Sequence, residues 1–96
     1  MEEKCFSVHG RLSFYNGNPS MRIWIIGTNR LLGVVETDTG GPDGTPDMPE
    51  SLLEKKANPS VKIVGDFLVC PLDEYRRGEM QMISVRSGTN LVVRQR

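Results

Sequence analysis

The side chains able to carry out chemistry are few: one histidine, two cysteines and a group of carboxylates in a chain of 96 residues. His9 follows Cys5 by four positions. On an extended strand that spacing separates them by roughly 13 Å, too far for a thiolate and an imidazole to share a proton. A small thiol hydrolase would need Cys70 brought beside His9 from a neighbouring strand, and no serine or lysine nucleophile motif offers another route. The cysteines have other uses. Cys5 and Cys70 stand at the start of one apolar segment and the end of another, where they either form a single disulfide or remain as buried thiols. Two cysteines and one histidine are too few ligands for a zinc site.

Hard oxygen ligands gather at Asp38, Asp43 and Asp47, among glycines that would let the backbone wrap a calcium ion. Their spacing departs from D-x-[DN]-x-[DN]-G, so a solvated loop is the plainer expectation. Neither G-x-x-x-x-G-K-[ST] nor G-x-G-x-x-G occurs, and no cofactor is expected. Tyr15, Arg22, Trp24 and Arg30 form an aromatic and basic set around the first turn signals, of the kind that stacks on bases, sugars or a protein partner. The plainer use of Trp24 is to fill a core between two sheets. If both faces of its strand are covered, the patch disappears. With no catalytic set in reach, the chain is expected not to be an enzyme.

The elements that must position these residues are mostly strands. Phe6, Val8, Leu12 and Phe14 alternate with Ser7, His9, Arg11 and Ser13, a half-buried strand that ends at the turn signal Asn16-Gly17-Asn18-Pro19. Met21 to Thr28 follows, apolar on both faces in its middle and therefore central. Gly27-Thr28-Asn29-Arg30 reads as a turn and Leu31 to Thr37 as a third strand. Residues 38–49 carry three glycines, three prolines and three aspartates, a long acidic loop. Residues 50–57 read as a short helix, with acids early, lysines late and Asn58-Pro59 to stop it. Val61 to Cys70 is the next strand, in which Gly65 marks a bulge or a close backbone approach. Arg76-Arg77-Gly78 makes a polar turn, and Met80 to Ser87 and Leu91 to Arg94 are two last strands around Ser87-Gly88-Thr89-Asn90.

About six short strands and one helix in a single domain, 1–96, favour an all-β, antiparallel Greek-key-type sandwich or barrel. The expected core is Phe6, Val8, Leu12, Phe14, Ile23, Ile25, Val34, Ile63, Phe67, Val69, Ile83 and Val85. Composition supports a folded domain, with 38% hydrophobic and 25% charged residues. Twelve basic residues balance twelve acidic ones, so the chain lacks the field that drives general nucleic-acid binding. No apolar run approaches the length of a membrane span. No charged leader precedes an apolar h-region, which leaves a cytoplasmic chain or one whose leader was trimmed.

Several of these segments together resemble the transthyretin-like or carboxypeptidase-regulatory-like β-sandwich modules. Val8-His9-Gly10-Arg11-Leu12 is similar to their opening strand, Gly17-Asn18-Pro19 to the G-x-P turn and Ile25-Ile26-Gly27-Thr28 to the next strand end. Thr37-Asp38-Thr39-Gly40 is similar to their T-D-x-x-G turn and Gly65-Asp66-Phe67 to a displaced G-x-F, with 41–64 interrupting the pattern. The resemblance implies a non-catalytic accessory module of a secreted or periplasmic protein. The expectation is therefore a binding or structural module of an exported protein, contacting a protein or glycan through the first hairpin or the acidic loop. Two other classes stand beside it: a small β-barrel that binds single-stranded nucleic acid, and the thiol hydrolase using Cys70 and His9. Free thiols would favour the cytoplasm.

Overall fold

The computed structural model describes residues 4–15, 20–37, 45–46, 48–49, 51–52, 60–74 and 76–95. Five strands close into a barrel: β1 (Phe6–Phe14), β2 (Met21–Ile25), β3 (Leu31–Val34), β6 (Val61–Pro71) and β7 (Gln81–Gln95). A separate two-stranded ladder pairs β4 (Glu36–Thr37) with β5 (Thr45–Pro46), so part of the expected acidic loop is extended structure. Around the barrel the order is β1, β2, β3, β7, β6 and back to β1. Every contact is antiparallel except one. Leu32, Gly33 and Val34 of β3 run parallel to Gln81, Met82 and Ile83 of β7. This corrects the expectation of a wholly antiparallel sheet. A period of two says which side chains share a face, and it is silent on the partner and its direction.

Alternation does explain the inside of the barrel. Leu12, Ile23, Leu32, Val34, Ile63, Phe67, Val69 and Ile83 are fully buried, with Val85 beside them. Phe6, Val8 and Ile25 pack at the margin. Phe14, expected in the core, is instead 46% exposed, because the alternation carries it past the last enclosed layer. Met21, Met48, Leu52 and Val61 complete the core cluster.

Two glycines make the closure fit. Gly10 of β1 lies directly opposite Gly65 of β6, and both are buried and face inward. A Cβ on Gly10 would stand 2.6 Å from Ile23 Cγ2 and 2.8 Å from the Trp24 carbonyl oxygen. One on Gly65 would stand 2.7 Å from Leu91 Cδ2 and 2.9 Å from the Thr89 carbonyl oxygen. The absent side chains therefore let Ile23 sit in the core and partly buried Leu91 pack against it, the small-against-large filling that a narrow barrel requires.

The last two expected strands are one. β7 runs unbroken through Ser87-Gly88-Thr89-Asn90, and the residues that read as a turn accommodate bulges instead. Val64 and Asp66 face Val92 and Thr89, and Leu68 and Val69 face Ser87 and Val85, so β7 carries an extra residue at each place. Asn90 adopts φ +53°, and Gly88 sits against Leu91 and Phe67. Asparagine and glycine serve a turn and a bulge for the same conformational reason, which is why the local signal is ambiguous. Of the expected helix 50–57 only Ser51 and Leu52 lie among the described residues, where the Leu52 N–H donates to the Pro49 carbonyl at 3.0 Å. The rest of it lies outside them.

Cys5 and Cys70 sit at disulfide distance, Sγ to Sγ 1.99 Å, across the start of β1 and the end of β6. They are neighbours because Phe6 pairs with Val69 in the same ladder.

Two outcomes test this account. Gly10→Ala should cost about 1–3 kcal/mol by overpacking against backbone, measured by urea unfolding, while Ser7→Ala on the outer face should leave the midpoint unchanged. An equally stable Gly10→Ala chain would refute the close approach. The bridge links residues 65 apart, for which the chain-entropy relation gives about 4 kcal/mol. Reductant should therefore lower the melting temperature by well over about 10 °C. Unchanged melting and two titratable thiols would remove the bridge.

Candidate functional site

The side of β1, β2 and β3 that carries Arg11 and Trp24 has two rows across the strands, the second of them largely covered, since its Ser13 and Gly33 are buried. Arg11 is level with Trp24, and Trp24 with Leu31; Ser13 is level with Arg22, and Arg22 with Gly33. Trp24 is half-buried on this face and is not a core residue, so the alternative placement between two sheets does not hold. The Arg11 guanidinium lies over the Trp24 ring, 5.1 Å from its centroid. Arg22 lies over Tyr15 at 4.9 Å, and Arg30 over Phe6 at 5.9 Å. Arg11 Nε is buried with no hydrogen-bond partner among the described residues, as expected of a guanidinium laid flat on a ring. Each contact contributes about 0.5–1 kcal/mol at such exposure. Their larger effect is to hold flat cationic and aromatic surfaces in a fixed array.

The end of this face is built from two tight turns. In the first, Thr28 N–H donates to the Ile25 carbonyl at 3.1 Å, Gly27 takes φ +87°, and the Ile25 N–H donates to the Arg30 carbonyl at 3.0 Å. The Thr28 hydroxyl donates to the Ile25 carbonyl at 2.7 Å and accepts from the Arg30 N–H at 3.0 Å. The Trp24 indole N–H closes the set by donating to the Thr28 carbonyl at 2.7 Å. In the second turn the Glu79 N–H donates to the Arg76 carbonyl at 3.0 Å, with Gly78 at φ +83°. Both turns were legible from their glycines.

Gln81 ties the first turn to the segment that follows β6, and it was not among the expected site residues. Its side chain is buried; Oε1 accepts from Arg30 Nη2 at 2.6 Å, and Nε2 donates to the Asp73 carbonyl at 3.0 Å. Asp73 Oδ1 in turn accepts from the Met82 N–H at 3.1 Å. The available signal was a polar side chain on the inward face of the alternating series Gln81, Ile83, Val85.

Of the expected site residues, Trp24 and Arg30 thus flank one turn, while Tyr15 and Arg22 form a second stack at the other end of β2. Asp38, Asp43 and Asp47 lie outside the described residues. Among the described residues no group of three or more His, Cys, Asp or Glu could hold a metal ion, and no helix is long and apolar enough to cross a membrane. The pairing of Cys70 with His9 is not found. Cys70 is 3% exposed and its sulfur is joined to Cys5, which leaves no thiolate. His9 faces Asp66 across the ladder, with Nδ1 3.0 Å from Oδ1. Asn90 donates to the other carboxylate oxygen at 2.9 Å.

Those bonds hold the Asp66 carboxyl below its ordinary value, the Asn90 amide contributing most and His9 next. A depressed folded value means that the stabilisation is complete above the unfolded carboxylate range and lost as pH falls through the folded value. Asp66→Asn should therefore flatten the dependence of the urea midpoint on pH below about pH 4 and leave it parallel to wild type above. Identical acid limbs would show that Asp66 is not linked to folding.

No protein-family model matches the chain, and neither a curated protein nor a solved structure is significantly similar to it.

Proposed function

We propose that the chain is a non-catalytic binding module of an exported protein, and that the outer face of β1, β2 and β3 contacts a glycan. The carrying observation is the Arg11–Trp24–Leu31 row, which ends at the rigid turn Ile25–Arg30. A half-buried indole fixed through its N–H, with the Arg11 guanidinium laid over it, offers a sugar a joint apolar and donor surface, the uncovered indole carbons for its C–H groups and the guanidinium for its oxygens. Exposed large apolar side chains are spread over Phe14, Ile26, Leu68, Leu72 and Val92–Val93. The cysteine pair fits an oxidising compartment, periplasmic or extracellular.

A second reading has its own support. A closed five-stranded Greek-key barrel is the architecture of the oligonucleotide- and oligosaccharide-binding barrels, and Arg11, Arg22 and Arg30 sit near aromatic rings as in single-strand binders. This support is fold-level analogy, and the balanced net charge and the cysteine pair weigh against it.

A glycan array followed by calorimetry separates the two. Wild type should bind at least one glycan class with weak salt dependence, and Trp24→Ala should lose about tenfold or more in affinity. Trp24→Phe should retain part of it. Tighter binding to dodecathymidylate, with a logarithmic salt slope of about −0.7 per phosphate, would replace the glycan reading by the nucleic-acid one.

A further inference from the structure

The ladder that closes the barrel is short, since β3 pairs only with Gln81, Met82 and Ile83 of β7. Beyond them β7 continues against β6 as far as Gln95, and on its other side it has no strand among the described residues. Most of residues 86–94 are exposed, and Val92 and Val93 are each 49% exposed. An open edge of this kind offers unpaired backbone N–H and C=O groups to any extended chain. We infer that the free edge of β7 is a docking site for an extended acidic segment of a partner protein, which joins the sheet as a further strand beside Val92, Val93 and Arg94. The inference is independent of the glycan face and stands whether or not that face binds sugar.

Three observations specify the partner. The two places where β7 carries an extra residue both lie before Val92, and Val92, Val93, Arg94 and Gln95 face Val64, Ile63, Lys62 and Val61 in unbroken register. An incoming strand therefore meets a regular template there. Val92 and Val93 are neighbours on an extended strand, so they stand on opposite faces of the sheet. Both faces of an added strand would find an apolar neighbour, for which β-branched and aromatic residues are the best match.

Charge supplies the third observation. Residues 84–96 hold three arginines and no acidic residue. Arg94 lies directly opposite Lys62 in the ladder, and neither they nor Arg86 have a carboxylate partner among the described residues. Asp66, the only acid of β6, is four residues from Lys62 and is already engaged by His9 and Asn90. Like charges directly opposite each other destabilise a ladder, and an acidic residue placed third in the row beside Arg94 relieves them. A second copy of the chain does not supply it, because β7 set against another β7 brings more arginines to Lys62 and Arg94. Arginines and bulges keep an edge from pairing with itself and leave it open to a strand of opposite charge. The segment that fits is an acidic residue level with Arg94, adjoining two β-branched or aromatic residues level with Val93 and Val92.

The test is selection of random decapeptides displayed on phage against the intact chain, followed by calorimetry with the enriched peptide made synthetically. Enriched sequences should carry an acidic residue next to two β-branched or aromatic ones. N-methylation of alternate residues along one edge of the peptide should weaken binding about tenfold or more, and along the other edge should leave it unchanged. Amide exchange within residues 86–95 should slow in the complex. Arg94→Glu should weaken the acidic peptide about tenfold or more. Its melting temperature should not fall, because Lys62 then faces a carboxylate. The free chain should sediment as a monomer. No enrichment, enriched peptides without an acidic residue, binding indifferent to methylation on both edges, or an Arg94→Glu chain of unchanged affinity overturns the docking site. A dimer that slows exchange at the same amides assigns the edge to a second copy and overturns the acidic partner.

Discussion

Closure of the barrel depends on β1 belonging to two ladders over the same three residues. Gly10, Arg11 and Leu12 pair with Ile25, Trp24 and Ile23 on one side, and with Gly65, Val64 and Ile63 on the other. In a closed barrel of only five strands the sheet must curve strongly, and the interior it curves around is narrow. The facing pair Gly10 and Gly65 meets the condition, since both are buried and neither places a Cβ in the interior. The space they leave is taken by Ile23 inside and by partly buried Leu91 at the margin, so curvature and packing are settled by one choice of residue type.

The candidate face follows from that bend. With Gly10 and Leu12 turned inward, Arg11 points out and meets Trp24 from the adjacent strand. The level of β2 against β1 then places the Ile25–Arg30 turn at the end of the barrel where β6 passes into β7. The second turn arrives at the same end because Pro71 pairs with Ile83. Gln81, at the start of β7 and level with Leu32 through the parallel contact, reaches Arg30 in the first turn and Asp73 just after β6. The cysteine bridge ties the same end, fixing the start of β1 to the end of β6. The site is thus assembled from segments far apart in sequence at the end where the bridge and the buried glutamine lie.

Asp66, His9 and Asn90 show a different economy. His9 and Asp66 face each other across the ladder, and Asn90 reaches them because its bulge gives it φ +53°. The group resembles part of a proton-transfer set, yet no nucleophile joins it among the contacts described. Its evident role is to secure a polar contact on the outer surface where β7 departs from regular pairing.

Strand positions, inward residues and the two glycine turns were legible in the sequence, because an extended chain puts alternate side chains on opposite faces and because positive φ selects glycine. Eight of the expected core residues are fully or nearly fully buried, and the aromatic and basic set does lie around the first strands. The single parallel contact, the merging of the last two strands and the exposure of Phe14 were not legible. Strand pairing is a long-range choice, and Ser87-Gly88-Thr89-Asn90 satisfies a turn and a bulge equally well until β6 is in place beside it. The meeting of Arg30 and Gln81 at one end was hidden for the same reason. Local residue types set which conformations the backbone accepts, whereas the register of five strands around a closed barrel decides which distant side chains meet.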